Sequence, residues 1–122
     1  RLGRNAQALV GFRRAETVLE RYPKEVQAEF RIAKARAALA QQDMTVAERE
    51  IARLTDFPEG LVEPDQLALL RAMLDDASGR PQAALNGYKP LFEAGSRPVA
   101  AEAQLRAVRL VQTEKRQDIT PD

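Results

Sequence analysis

The sequence contains no cysteine, no histidine and no tryptophan, and these absences exclude classes of chemistry. Without thiols and imidazoles the chain lacks the soft ligands of zinc, copper and iron–sulfur sites. It also lacks the thiol nucleophile and the side chain that most often moves protons near neutral pH. We therefore expect no catalysis, no metal and no cofactor. The absence of cysteine permits an oxidising compartment without requiring one.

The sequence also lacks an excess of positive or negative charge, and it lacks long runs of apolar residues. The 122 residues carry 19 Lys and Arg against 18 Asp and Glu, a net charge of +1. A domain that binds nucleic acid or a membrane surface usually has a strong basic excess, so neither partner is expected. No run approaches the roughly 20 apolar residues of a transmembrane helix, so no membrane insertion is expected. The length suits a single domain.

Helix-forming residues dominate what is present. Alanine is the commonest residue, and no stretch alternates apolar and polar residues as a half-buried strand does. Proline and glycine divide the chain at helix-length intervals. The sequence therefore predicts an all-α fold whose helices lie at about 6–22, 24–41, 45–55, 65–77, 81–94 and 98–114. Pro90 falls inside the fifth helix, where we expect a kink or an early end because proline removes a helical hydrogen bond.

The spacing of apolar residues predicts which helix faces are buried. In the helix at 24–41, one stripe contains Val26, Phe30, Ala33, Ala37 and Ala40, and a second contains Ile32, Ala35 and Leu39. We expect both stripes to be covered. The last helix repeats the pattern with Val99, Ala103, Arg106 or Ala107, and Leu110. Asp43 or Thr45 is expected to cap the third helix, because short oxygen-bearing side chains accept from the first free N–H groups.

Similar residues recur along the chain at a nearly constant interval. Gly11, Ala47 and Ala84 lie 36 and 37 residues apart, and apolar residues follow each of them at helical spacing. The interval is close to the period of about 34 residues in tetratricopeptide helix-turn-helix units. The residues that carry the likeness are Gly11, Ala15, Val18 and Pro23, then Ala35, Ala38, Ala47, Ile51 and Leu54, then Ala72, Gly79, Ala84, Tyr88 and Leu91.

On these residues the chain resembles the tetratricopeptide repeat (TPR) family, with Gln42 where glycine is usual and Pro90 inside a helix. The resemblance implies a right-handed α-solenoid of about three units, forming one domain over 1–122. The units fall at about 1–23, 24–58 and 64–95, with a following helix at 98–114, and we expect truncation at both ends. The sequence is similar in style to helical-repeat segments of larger bacterial proteins, some of them exported. The cell envelope or periplasm and the cytoplasm both stay open.

The charged residues form local groups that have more than one interpretation. Asp75 with Asp76, and Glu48 with Glu50, are the residue types of an acid–base pair or a hard-cation site. We expect them on solvated helix surfaces instead, because Arg and Lys lie nearby and the spacing of a calcium loop is absent. Glu102 falls at helical contact distance from neighbouring cations, which favours ion pairs within the helix over nucleic-acid binding.

The resemblance also implies a function, the binding of a peptide or protein segment on the concave face of the solenoid. The groove positions of the family fall on Ile32, Arg36, Leu39, Gln66, Leu69, Met73 and Asp76. Leu39 and Leu69 equally fit a simple role in the core. The alternative function is a structural spacer or self-association segment of a longer helical-repeat protein, with no separate ligand.

Overall fold

The computed structural model describes residues 18–119, with side chains through residue 115, and every regular element within this part is helical. Val18 and Leu19 are helical and are followed by a turn that reaches Pro23. Most of the predicted helix at 6–22 lies outside the described residues, together with Gly11 and Ala15 of the first unit. The predicted all-α class is confirmed for the described part of the chain.

Five helices of eight residues or more and one short helical segment follow Pro23. Their bounds are α1 Lys24–Gln41, α2 Met44–Thr55, α3 Pro64–Ala77, α4 Pro81–Tyr88, α5 Leu91–Ala94 and α6 Arg97–Ile119. The predicted bounds of α1 are confirmed, and α2 and α3 each begin one residue earlier than predicted. The last helix runs beyond the predicted 114, because polar helix formers continue there without glycine or proline until Pro121.

Local chemistry accounts for the helix ends. The Asp43 carboxylate accepts a hydrogen bond of 3.2 Å from the Val46 backbone N–H, so Asp43 and not Thr45 caps α2. Pro64 and Pro81 occupy first-turn positions of α3 and α4, where the missing N–H costs little. At Pro90 the helix is interrupted as predicted, since α4 ends at Tyr88 and the short segment α5 begins at Leu91.

Two contacts, one at Gly87 and one at Asp65, position α3 against the helices that follow it. A Cβ built on Gly87 of α4 would lie 2.9 Å from the Ala72 Cβ of α3, so the two helices approach closely at this point. Near the start of α3, the Asp65 carboxylate accepts a 2.8 Å hydrogen bond from the Ser96 backbone N–H. This bond holds the pKa of Asp65 below its usual value. It links α3 to the loop that precedes α6.

Helices that follow one another in the chain pack together, and α3 also contacts α1 and α6, which are not its neighbours in the chain. Helix α2 packs on α1, and α4 packs on α3, forming two successive pairs, while α6 packs on α4 and α5. In addition, α1 contacts α3, and α3 contacts α6. The core between them is built mainly from alanine and leucine, with Tyr88 as its largest fully buried side chain. The first helices of successive pairs therefore lie side by side.

The predicted burial of α1 is wrong for three of the five residues in its first stripe, while Phe30 and Ala37 are half-buried. Val26 is 42% exposed, and Ala33 and Ala40 are exposed as well. The buried face carries Ala28, Ala35, Ala38 and Leu39 instead. Both stripes have the same helical period, so periodicity alone does not decide between them. The predicted stripe of α6 is confirmed, with Ala107 and not Arg106 as the buried member.

Gln42 ends α1 in the left-handed conformation, with a φ of 62°, at the position where the family usually has glycine. A side chain with a Cβ is strained in this conformation, and glycine is not. We expect Gln42→Gly to raise the free energy of unfolding by about 0.5–1 kcal/mol, measured by urea denaturation. Ala40→Gly, two residues earlier on the exposed helix surface, is the matched control and is expected to lower it by about 1 kcal/mol. A loss of stability in Gln42→Gly would contradict this account.

The close approach at Gly87 predicts that a better helix former destabilises the protein there. Gly87→Ala is expected to lower the free energy of unfolding by about 1 kcal/mol, because crowding against Ala72 exceeds the gain in helix propensity. The exposed neighbour Asn86→Ala should change it by less than about 0.5 kcal/mol. In an Ala72→Gly background, Gly87→Ala should become stabilising, and urea denaturation of the four variants measures that coupling. If the effects of Gly87→Ala and Ala72→Gly on the free energy of unfolding are additive, the contact between these two residues does not limit how closely α3 and α4 pack.

Candidate functional site

Side chains of α1, α3 and α6 enclose a surface cavity of about 280 Å³, called the groove below. Each of α1, α3 and α6 contributes side chains to it, whereas α2, α4 and α5 contribute none. The residues that line the groove are Arg36, Leu39, Ala40, Met73, Asp76, Ala77 and Arg106. It therefore follows from the way α1, α3 and α6 lie side by side.

The floor of the groove is formed by apolar side chains, and small alanine side chains lie at its edges. Leu39 and Met73 are each 6% exposed, so they offer apolar surface without standing out from the fold. Ala40 and Ala77 are exposed at the edges and leave space between the helices. Methionine adapts its shape to different apolar groups, which suits the floor of a site that contacts a side chain of a partner.

A three-residue ion-pair cluster crosses the groove. Arg36 of α1 donates from Nη1 and Nη2 to the two carboxylate oxygens of Glu102 on α6, at 3.1 and 2.6 Å. Arg106, one turn beyond Glu102, donates from Nε to the same carboxylate at 2.9 Å. The predicted ion pair within the helix is confirmed for Glu102, but its bidentate bond to Arg36 joins residues of different helices. Glu102 thus holds α1 and α6 together across the groove.

Asp76 is fixed from behind by a buried tyrosine. The Tyr88 hydroxyl of α4 donates a 3.0 Å hydrogen bond to Asp76 Oδ2. Tyr88 is fully buried, and its burial and the neighbouring Asp76 carboxylate raise its pKa well above the usual value. The hydroxyl therefore stays protonated and keeps donating over the whole physiological pH range. Asp76 is half-buried, so its carboxylate is held in place at the groove wall.

A smaller cavity of about 160 Å³ continues the groove along α6. It shares Asp76 and Arg106 with the groove and adds Arg109, Leu110 and Thr113. Arg109 is exposed, and no carboxylate of the described residues forms an ion pair with it. The two cavities are therefore adjacent, with Arg106 and Arg109 on the α6 side and the Asp76 carboxylate shared between them.

The structure brings together four of the seven residues predicted for the site: Arg36, Leu39, Met73 and Asp76. Leu69 lies elsewhere, since it is 1% exposed and belongs to the core. Ile32 and Gln66 are half-buried and do not line the groove. That a partner contacts the four residues stays a prediction.

Sequence reasoning missed the contribution of α6 to the groove. Arg106 follows Met73 at a spacing close to one repeat period, and this register would have identified it. Glu102 was expected to pair only within its own helix. Its bond to Arg36 depends on how close α1 and α6 come, and no local pattern contains that distance.

The expectation for the Glu48 and Glu50 pair is wrong for Glu50, which is fully buried, while Glu48 is exposed. Arg31 Nη1 donates to Glu50 Oε1 at 3.0 Å, and Lys34 Nζ lies 3.3 Å from Oε2. No described donor is well aligned with Oε2, so the Lys34 contact is ionic rather than a directed hydrogen bond. A carboxylate is tolerated in the interior because two cations of α1 contact it and Arg53 of its own helix lies 4.0 Å from Oε2. Glu50 therefore ties α2 to α1.

No protein-family model matches the chain, and neither a curated protein nor a solved structure matches it at a significant level. Within residues 18–119, no helix is long and apolar enough to cross a membrane. The same residues contain no group of three or more acidic side chains placed to hold a metal ion.

Glu50 is expected to be the most sensitive charged residue for stability. Glu50→Gln removes the negative charge that balances Arg31 and Lys34 in the interior, and should lower the free energy of unfolding by about 3 kcal/mol. The exposed Glu48→Gln is the matched control and should change it by less than about 0.5 kcal/mol. Urea denaturation followed by circular dichroism measures both. Equal effects of the two substitutions would contradict the assignment of Glu50 as a buried link between α1 and α2.

Proposed function

We propose that the chain is a TPR-like α-solenoid segment that acts as a non-catalytic binding module for a peptide or protein segment. The observation that carries the proposal is the groove, because its lining comes from α1, α3 and α6 alone. In solenoids of helix pairs, stacked first helices create the extended concave surface on which partners bind. The groove has that position.

The packing of the pairs supports the repeat interpretation. Ala47, Ile51 and Leu54 of α2 are buried against their neighbours. Ala84 and Tyr88 of α4, followed by Leu91 of α5, occupy the corresponding buried places in the next pair. Gly79 adopts a φ of 79°, as the residue that ends a first helix often does. Equivalent residues thus do equivalent packing in the two described pairs.

The chemistry of the groove suits a short apolar group of a partner segment. Such a group would rest on Leu39 and Met73, between the small side chains of Ala40 and Ala77. Charged or polar groups beside it would meet the carboxylate of Asp76 on one wall and the exposed guanidinium of Arg109 further along. A few placed polar groups around an apolar floor fix the orientation of a ligand.

One observation favours the alternative, a structural spacer with no separate ligand. Both cations that line the groove, Arg36 and Arg106, already bond to the Glu102 carboxylate within the molecule. In a spacer, the Arg36–Glu102–Arg106 cluster would serve to hold α1 and α6 rigidly together, without contacting a ligand. The two functions differ in whether blocking the groove removes a bound protein.

The test blocks the groove without touching the core. Ala40 and Ala77 are exposed helical residues at its edges, so the double variant Ala40→Glu, Ala77→Glu fills it with charged side chains and keeps the helices. Ala83→Glu, on the exposed surface of α4, is the matched control. We expect a native-lysate pull-down with quantitative mass spectrometry to find a protein retained by the parent and the control but not by the double variant.

Circular dichroism and urea denaturation must first show that all three proteins are folded to a similar stability. If the parent, the control and the double variant retain the same proteins, or none, the binding proposal fails. The spacer function is then the better interpretation of the Arg36–Glu102–Arg106 cluster.

A further inference from the structure

A second cavity, on another side of α6, is almost wholly apolar. It lies between α4 and α5 on one side and α6 on the other, with a volume of about 410 Å³, and is called the α4–α6 pocket below. Its apolar walls are Leu85, Phe92, Ala107, Val108 and Val111. It shares no residue with the groove, so it is a separate surface.

The side chains beside this pocket are unusually exposed for apolar residues. Val108 is 54% exposed, and Leu105 one turn earlier is 50% exposed. Together with Val111 they recur every three residues along α6, which makes one stripe. Exposed apolar side chains that lie beside an apolar cavity are a candidate interaction site.

The shape of the pocket fits a helix. Helix α6 packs on α3, α4 and α5 through Val99, Ala103, Ala107 and Leu110, and then continues to Ile119. On the side of α6 that faces the trough between α4, α5 and α6, the side chains of Val108, Val111 and Lys115 are exposed. Elsewhere in the fold, a third helix packs against two helices that already contact each other. Helix α3 packs in this way against α1 and α2.

The charges at the edge of the pocket specify the kind of helix. Lys89 and Lys115 are exposed residues of its lining, and the ion pairs of the described carboxylates include neither of them. A twofold dimer through this pocket would place four lysines around one apolar interface, which like-charge repulsion disfavours. A helix with carboxylates beside its apolar stripe would pair with both lysines. The complementary partner is therefore acidic.

We propose that the α4–α6 pocket binds an amphipathic helix of another protein, one that carries acidic residues on the flanks of its apolar stripe. Leu85, Phe92, Val108 and Val111 contact the stripe, and Lys89 and Lys115 contact the flanking carboxylates. This surface is independent of the proposed groove function, since it uses a different side of α6.

The test uses the full chain and two synthetic peptides of about 16 residues, roughly 24 Å long as helices. Both have leucines at one-turn spacing. The acidic probe has glutamates beside the leucines, and the basic probe has lysines there. Fluorescence anisotropy should show that the acidic probe binds about tenfold or more tightly than the basic one. Lys89→Glu with Lys115→Glu should reverse the preference.

Val108→Asp places a charge in the apolar wall and should weaken binding of the acidic probe about a hundredfold. Val108 is largely exposed, so the variant should fold, and circular dichroism checks this. The groove variant Ala40→Glu, Ala77→Glu should bind the probe as the parent does, which separates the two surfaces.

Three results would each overturn the proposal. The first is equal binding of the two probes, or no binding of the acidic probe at millimolar concentration. The second is a Val108→Asp variant that binds the acidic probe as the parent does. The third is a dimer of the parent chain in sedimentation equilibrium that Val108→Asp dissociates, since the pocket would then be occupied by a second copy.

Discussion

The close contact of α3 with α4 at Ala72 and Gly87 is the constraint on which the site depends. Because Gly87 has no side chain, α4 lies near enough for the next residue, Tyr88, to be fully buried and to reach Asp76 with its hydroxyl. Asp76 lies one turn beyond Ala72 and forms part of the groove wall. A methyl group at Gly87 would push the helices apart, and the groove carboxylate would lose the donor that fixes it.

Most of the fold could be predicted from the sequence because helix ends have local chemical causes. Asp43, Pro64, Pro81 and Pro90 act on backbone groups within a few residues, so their effects are visible in the sequence. Burial is different, since it depends on what packs against a helix. The two stripes of α1 have the same period, and only the positions of α2 and α3 decide that the Ala35 side is buried and the Val26 side is exposed.

The same distinction explains which parts of the site could be predicted. Arg36, Leu39, Met73 and Asp76 follow from the register that the family resemblance implies, and the structure brings these four residues together in the groove. The two charge clusters do not follow from it. Glu50 of α2 forms ion pairs with cations of α1, and Glu102 of α6 forms one with Arg36 of α1. Each ion pair depends on the distance between two helices, and the spacing of residues along the chain does not contain that distance. Local spacing predicted only the Glu102–Arg106 pair.

Helix α6 carries both proposed surfaces, and its geometry makes them compatible. Arg106 lines the groove and Val108 lines the α4–α6 pocket. Two residues along a helix correspond to a rotation of about 200°, so the side chains leave the helix in nearly opposite directions. Between them, Ala107 and Leu110 anchor the helix in the core. A segment in the groove and a helix in the pocket would thus contact α6 at the same time without touching each other. Under the two proposals, α6 would join two partners.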